Sequence, residues 1–418
     1  MERKLVKMKI LVLTESLRIN STSSGIVSST FIEMLSTLDQ ASIHVITQND
    51  FTEKVDWFKN NVFVEKFNLP IKNKNFIQKI PKIRAIHSYI FGYNVESKNI
   101  IKAWEKEITR VLDETKFDYI FVLGSGMSFY PHFAMLSIKT NVPFIVNIHD
   151  PFPIHTYPFP YRKEKSILSF VAEKKFNKVL NKAHKITLPS ENLLQSLIPF
   201  YSVLKQKGVV IPHIGTSIQN LPSLECDENI QLDATKINII HAGSLLGPRN
   251  PEFLFKAIYN LYEKDKNSLD NLHFTFIGKV AREHKNIVIE EKYKKNISFL
   301  DQRISYKKSL ELIKQSDAVF VIEAISKFSP FMPGKLADIF YYKKPIIALC
   351  PKISETMNIL TSDYPYYSEL NDVEAITVIL QQLINDLKNN EVIFNFENQK
   401  MYVSIEVNQK LIREKVLN

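Results

Sequence analysis

Phe331-Met-Pro-Gly-Lys-Leu-Ala-Asp338, continuing through Ile-Phe-Tyr-Tyr-Lys-Lys-Pro345 into Ile-Ile-Ala-Leu349, decides the reading of this chain. Pro333 and Gly334 make a loop, a short helix follows, and the helix runs into an apolar strand. A helix start preceded by glycine presents unpaired N–H groups and the positive end of a dipole, which suits an anion such as phosphate. Lys335 adds a point charge there, with Leu336 beside it. Asp338 lies one turn on, on the face of Lys335, where its carboxylate could accept hydrogen bonds from ribose hydroxyls. Phosphate plus sugar on one helix start points to a nucleotide. An ordinary surface pair three residues apart would look the same, so the rest of the chain has to decide.

Outward from this stretch, short apolar runs alternate with helix-period segments. The runs are 10–13, 43–46, 119–123, 144–148, 186–188 and 209–211, then 237–240, 274–277, 297–300, 318–322 and 346–349. Continuous apolar strands with helices between them predict parallel sheets covered on both faces. Two such series predict an α/β protein of two doubly wound, Rossmann-like domains. The expected organisation is a first domain over 1–212, a linker over 213–233 where the sequence turns polar, a second domain over 234–400, and a terminal helix over 401–418.

The 418 residues exceed one typical core, which agrees with two domains. Hydrophobic content of 45% and charged content of 23% are those of an ordinary soluble protein. The balance of 54 basic against 44 acidic residues, net +10, favours an anionic partner: a nucleotide, a nucleic acid or an anionic membrane face. Lysines simply in water give the same total. Cys226 and Cys350 are far apart and form no CxxC, disulfide framework or zinc pattern, so a reducing, cytoplasmic compartment is expected. The first residues read as a buried strand rather than a signal peptide, and no run of 18 apolar residues is present.

In open α/β sheets ligands bind beyond the carboxyl ends of the strands, so the residues there matter most. After the first strand come Glu15, Arg18 and a Ser/Thr-rich loop to Gly25. Gly124, Ser125 and Gly126 follow the run at 119–123, and His149 and Asp150 follow 144–148. His241, Gly243, Ser244 and Arg249 follow 237–240. Gly243 lets backbone approach a ligand, Arg249 offers a planar fork for phosphate oxygens, and Pro251 fits the first turn of the next helix. His149 and Asp150 could do acid–base or hydrogen-bonding work, or simply hold their loop; His241 could be a satisfied core histidine. There is no Walker A motif, and no GxGxxG follows the first strand.

Residues 71–95 hold Lys72, Lys74, Lys79, Lys82 and Arg84 with no acid, among Phe76, Ile77, Ile80, Ile83, Ile86 and Ile90; Pro81 splits the pattern into two pieces. A surface of this kind can lie on an anionic bilayer. It can equally be a helix packed on the sheet with its lysines in water. Phe76 is the single aromatic ring among these lysines, not the succession of rings that base-stacking requires, so nucleic acid is not the expected partner.

These residues together resemble the GT-B glycosyltransferases, in particular the retaining, family-four type that includes bacterial capsule, lipopolysaccharide and glycolipid transferases. The similarity is carried by Gly25 after the first strand, Val146-Asn-Ile-His149-Asp150, Ile240-His-Ala-Gly243-Ser244-Leu with Arg249, Phe320-Val-Ile-Glu323, and above all residues 331–349. The resemblance implies a nucleotide-sugar donor bound mainly by the second domain, with Arg249, Lys335 and Gly334 at the diphosphate, Asp338 at the ribose and Arg303 beside the base. Gly25 would leave room for the phosphates, and His149 would touch the transferred sugar. One departure stands out. The family often carries two glutamates eight positions apart; here the second is Asp338 and the first falls on Pro330.

The implied activity moves a sugar from a nucleotide-diphosphate sugar to a glycan or lipid-linked acceptor with retention, the donor's own phosphate taking the acceptor proton. No cofactor and no obligate metal are implied, and there is no DxD-like pair at a strand end. The expected location is the cytoplasm, with residues 71–95 as the route to the inner face of the plasma membrane. Two alternatives stay open: a sugar-nucleotide epimerase of the same fold, and a non-catalytic nucleotide-binding or membrane-docking protein.

Overall fold

The computed structural model describes residues 8–49, 57–70, 93, 95–124, 128–215, 221–227, 229–264, 270–391 and 395–418. Lys72, Lys74, Lys79, Lys82, Arg84, Ser125, Gly126 and part of the expected linker lie outside them, as does the side chain of Cys226. The chain divides into two units. The first comprises 1–157, 161–212 and 405–418; the second comprises 158–160 and 213–404, so the described part of 213–233 groups with it.

In the first unit the strands are β1 (Lys9–Thr14), β2 (Ser42–Gln48), β3 (Val62–Phe67), β4 (Tyr119–Val122), β5 (Phe144–Asn147), β6 (Lys185–Leu188) and β7 (Gly208–Val210). The helices described are α1 (Ser23–Ser36), α2 (Val95–Glu114), α3 (Tyr130–Ala134), α4 (Ile167–Lys182), α5 (Glu191–Leu197) and α6 (Leu204–Lys207). The sheet order is β3-β2-β1-β4-β5-β6-β7, with every neighbouring pair parallel. α2 shows why such segments are helices. Ile101, Trp104, Ile108 and Val111 recur at spacings of three and four and are all buried, with Trp104 edge-on to Phe67 at 4.7 Å.

The second unit contains β8 (Ile237–Ala242), α7 (Glu252–Lys264), β9 (Leu272–Ile277), β10 (Ile297–Leu300), α8 (Tyr306–Gln315), β11 (Ala318–Ile322), β12 (Phe328–Ser329) and α9 (Gly334–Tyr341). β13 (Ile346–Leu349), β14 (Ile353–Ser354), α10 (Glu355–Leu360), β15 (Tyr367–Ser368), α11 (Val373–Asn389) and α12 (Glu397–Tyr402) complete it. Its main sheet runs β10-β9-β8-β11-β13-β15, and a two-stranded piece pairs β12 with β14. Each unit has its own core: one of Leu, Ile, Val and aromatic side chains on the β1–β7 sheet, the other on the β8–β15 sheet. Both strand orders reverse once, between β1 and β4 and between β8 and β11, which makes the carboxyl ends of those strands the natural crevices.

Of the segment read as a terminal helix over 401–418, residues Ile405–Lys415 form α13 and belong to the first unit, while 401–404 group with the second. Gln409 donates to Thr37 Oγ1 at 2.6 Å, Arg413 pairs with Asp39 at 2.9 Å, and Tyr119 donates to the carbonyl of Leu417 at 2.5 Å. Among the described residues no helix is long and apolar enough to cross a membrane.

Candidate functional site

The second unit's crevice begins where β8 and β11 part. Their ladder joins only Ile239 to Ala318 and Ile240 to Val319. Beyond it the ring of His241, fully buried, reaches the carbonyl of Phe320 with Nδ1 at 3.3 Å. Lys335 Nζ lies 3.5 Å from the same Nδ1. Burial holds the imidazole well below its usual pKa, and the charges of Lys335 and Arg249 push the same way, so the ring is neutral. A neutral ring can donate from Nδ1 to the carbonyl or accept there from Lys335, not both. The tautomer of His241 and the charge of Lys335 are therefore linked.

Gly243 follows immediately. Its N–H donates to the carbonyl of Ile277 at 2.8 Å, and a Cβ at this position would fall 2.4 Å from Lys335 Nζ. The missing side chain is thus where the lysine sits. Gly278 has φ +149°, and a Cβ there would stand 2.2 Å from the carbonyl oxygen of Gly243, so this position needs glycine for conformation and space alike. Ser244 is exposed at the mouth of the loop. Arg249 Nε is buried with no hydrogen-bond partner among the described residues.

α9 begins at Gly334 with Pro333 as N-cap, which offers no side-chain cap to the first N–H groups. Leu336 is fully buried and anchors the first turn in the core. Lys335, half-buried, has its pKa lowered to about 7, first by burial and second by the charge of Arg249. Neither Lys335 nor Arg249 forms an ion pair among the described residues. Two cations repel each other at the crevice with no carboxylate in ion-pair contact among the described residues, although Arg249 also feels the charge of Glu323; the excess of positive charge suits an anion.

Below them stands Glu323, directly after β11 and 3% exposed. Thr356 donates to its Oε1 at 2.5 Å and Ser329 donates to Oε2. Burial raises its pKa; the two hydroxyls and Arg249 pull it down, and Glu355 pushes it up again. The reading from sequence did not single out this carboxylate for a role. An acid at the end of a wholly apolar strand was the available signal, whereas its partners 6 and 33 residues away had none. Asp338, expected at the ribose, is 5% exposed and accepts from the hydroxyl of Tyr306 at 2.8 Å, a partner 32 residues away that the sequence did not announce. Tyr306 opens α8, three residues after the exposed Arg303.

The first unit places its own residues separately. Gly25 lies in the first turn of α1, where Thr22 caps its N–H at 3.0 Å. A Cβ on Gly25 would come 2.5 Å from the carbonyl oxygen of Arg18, so the glycine is needed by the loop that folds back over it. His149 is buried two residues beyond β5, against Gly124, whose Cβ would fall 3.7 Å from His149 Cγ. Asp150 is half-buried, and its charge adds to burial in keeping the Tyr157 phenol protonated. Glu15, past β1, accepts from the N–H of Tyr130 at 2.8 Å.

Residues 62–214 match the family Glycosyltransferase Family 4. No curated protein sequence matches the chain. Among solved structures, a glycosyltransferase from Rickettsia africae is similar over 98% of this chain and 97% of its own, with 17% identity and a TM-score of 0.63. Anabaena HepE, in complex with UDP and glucose, is similar over 97% and 98% with 14% identity and a TM-score of 0.60. An α,α-trehalose-phosphate synthase (UDP-forming) from Burkholderia xenovorans, in complex with glucose-6-phosphate, is similar over 98% and 100% with 9% identity and a TM-score of 0.62. At these identities the likeness is one of fold. The fold is thus that of GT-B glycosyltransferases, and the match to Glycosyltransferase Family 4 covers residues 62–214, in the first unit and the start of the second.

The depressed Lys335 predicts a pH dependence. An anion favours the ammonium form, so binding raises the lysine's pKa from about 7 and takes up a proton above that value. Donor affinity should therefore be flat below about pH 7, as far as Lys335 is concerned, and fall as pH rises above it. Calorimetry with a nucleotide-sugar, whose diphosphate diester does not titrate near neutrality, in two buffers of different ionisation enthalpy at pH 8 measures the uptake directly. Lys335→Arg should abolish it.

Proposed function

We propose that the chain moves a sugar from a nucleotide-diphosphate sugar to a glycan or lipid-linked acceptor, with retention of configuration, in bacterial polysaccharide or glycolipid biosynthesis such as that of capsule or lipopolysaccharide. The observation that carries this reading is the pair of like charges, Arg249 and Lys335, at the switch point of the second unit, neither in an ion pair among the described residues and Lys335 packed against Gly243. Such a pair, with the uncapped start of α9 at Gly334, supplies fixed positive partners to the charge that develops on a leaving nucleotide diphosphate. Ser244 lines the same loop, Asp338 takes the ribose and Arg303 stands by the base. His149 and Asp150 act on the sugar undergoing transfer. The bound UDP of the Anabaena structure makes uridine the first base to try.

Because two side-chain cations already serve the diphosphate, we propose that no metal is obligatory; turnover should survive excess EDTA. Activity is tested by incubating UDP-, GDP-, ADP- and TDP-sugars with lipid extracts and glycan acceptors and following diphosphate release, with the anomeric configuration of the product read by NMR. Turnover of donor without any acceptor to an isomeric nucleotide-sugar would establish the epimerase instead. Docking of residues 71–95 on the inner face of the plasma membrane is likewise a proposal, on the sequence alone; changing Lys72, Lys74, Lys79, Lys82 and Arg84 to Gln should then reduce sedimentation with anionic vesicles.

Asp338 provides a sharper expectation. Asp338→Ala should weaken a ribonucleotide diphosphate by about 1.5 kcal/mol, the order of a hydrogen bond to a charged group. The 2′,3′-dideoxy nucleotide should bind wild type and variant alike. Because Asp338 also holds Tyr306, Tyr306→Phe is the control: equal losses for both nucleotides in either variant would mean that the pair only braces α8 against α9.

A further inference from the structure

α4 has a complete inward face: Ser169, Ala172, Phe176, Val179 and Leu180 are buried at spacings of three, four, three and one. Its first turn carries a second apolar set that the core does not use. Ile167 is 56% exposed, Leu168 40% and Phe170 38%. Scattered exposed apolar residues are normal; three within four positions at one helix start are a patch. Cations surround it. Lys165 and Lys174 place their Nζ atoms 5.0 and 4.3 Å from the centre of the Phe170 ring, and Arg162, Lys163 and Lys178 are exposed nearby. From 162 to 178 there are six basic residues against two acidic ones, a net +4. One of those acids, Glu173, is taken by His155 and Lys165, each at 2.7 Å.

We infer that the first turns of α4 are a docking surface for an anionic lipid bilayer, with Ile167, Leu168 and Phe170 entering the headgroup boundary and the surrounding lysines on the phosphates. The chemistry selects this partner. A nucleic acid offers charge but no apolar layer, whereas a bilayer surface offers both at adjacent depths. The position adds to the argument. α4 is the crossover between the parallel strands β5 and β6, so it starts at the carboxyl edge of the sheet, the edge that carries His149. Docking there would put that edge against a lipid-linked acceptor. The inference does not rest on the donor reading, since vesicle binding needs neither donor nor acceptor. It is also distinct from docking through residues 71–95.

The test is sedimentation of the full chain with vesicles of phosphatidylcholine alone or with 30% phosphatidylglycerol, at low and high salt. Wild type should bind only the anionic vesicles, and less in high salt. Lys163→Gln, Lys174→Gln and Lys178→Gln together should weaken partition roughly 100-fold, the order for three cations near an anionic surface. Ile167→Ser, Leu168→Ser and Phe170→Ser together should weaken it at least about tenfold, with unchanged thermal unfolding because these side chains lie outside the core. Phe170→Trp should gain quenching by brominated lipids beyond that of wild type. The inference is overturned if wild type ignores anionic vesicles, if the triple Ser variant binds like wild type, or if the fluorescence that Phe170→Trp adds is untouched by brominated lipid. It is also overturned if only the Gln changes at 72–84 reduce binding.

Discussion

Arg249→Ala and Lys335→Ala should each weaken binding of a nucleoside diphosphate by about 1.5–3 kcal/mol, the range for hydrogen bonds to charged groups. The loss is roughly tenfold to more than a hundredfold in Kd. The two cations face the same crevice and repel each other, so their contributions are not independent. Removing Arg249 relieves Lys335 of a like charge and raises its pKa, which partly repairs the site in the single variant. The double variant should therefore lose more than the two single losses added together. The nucleoside without phosphate should bind all variants alike. Lys335→Ala also vacates the space beside Gly243, and Gly243→Ala should imitate it by pushing the ammonium away. Calorimetric titration of diphosphate and nucleoside across the set checks every part. Unchanged diphosphate affinity in both single variants would remove the assignment.

Glu323→Ala should be the most damaging single change to stability in the second unit's crevice. The carboxylate is 3% exposed and receives the hydroxyls of Ser329 and Thr356, which join β12 and α10 to the end of β11. Alanine leaves both hydroxyls buried without their acceptor and opens a cavity, at about 1–3 kcal/mol for each unsatisfied group. Relief of the burial that raises Glu323's pKa offsets part of this. The net expectation is a loss of about 2–4 kcal/mol, read as a lower urea midpoint of the full chain. Glu323→Gln, which keeps the shape and one acceptor oxygen, should lose clearly less. An alanine variant with an unmoved midpoint would show that the network contributes nothing.

How far the sequence reveals this molecule depends on which physical signal each part leaves. The eleven apolar runs all fall on strands, because a strand buried on both faces must be apolar throughout. β3 escapes because it is the sheet's edge: its apolar stretch ends after Val64, Glu65 and Lys66 follow in its ladder, and Phe63 is 61% exposed, so the run is easily passed over. β12, β14 and β15 are two residues each and too short to show a period. In the site, Gly243, Arg249 and Lys335 are legible as glycine and cations at strand ends and a helix start. The structure adds what binds them together: the lysine filling the space a Gly243 side chain would take, and His241 between Lys335 and Phe320. The contacts of Glu323 and Asp338 come from partners far along the chain, so no local pattern announces them. Gly25 shows the converse. A glycine read as making room for phosphates has a second, local requirement in the structure, the backbone of Arg18.

The central claim, that the second unit takes a nucleotide-diphosphate sugar, is tested most directly by thermal unfolding of the full chain in the presence of UDP-, GDP-, ADP- and TDP-sugars and the corresponding nucleosides. A ligand that binds only the native state at about 100 times its Kd contributes roughly 2.7 kcal/mol. At least one nucleotide-sugar should raise the midpoint by several degrees while its nucleoside does not, and the Arg249→Ala, Lys335→Ala double variant should show no rise. No shift with any nucleotide-sugar, or an equal shift in the double variant, would contradict the claim.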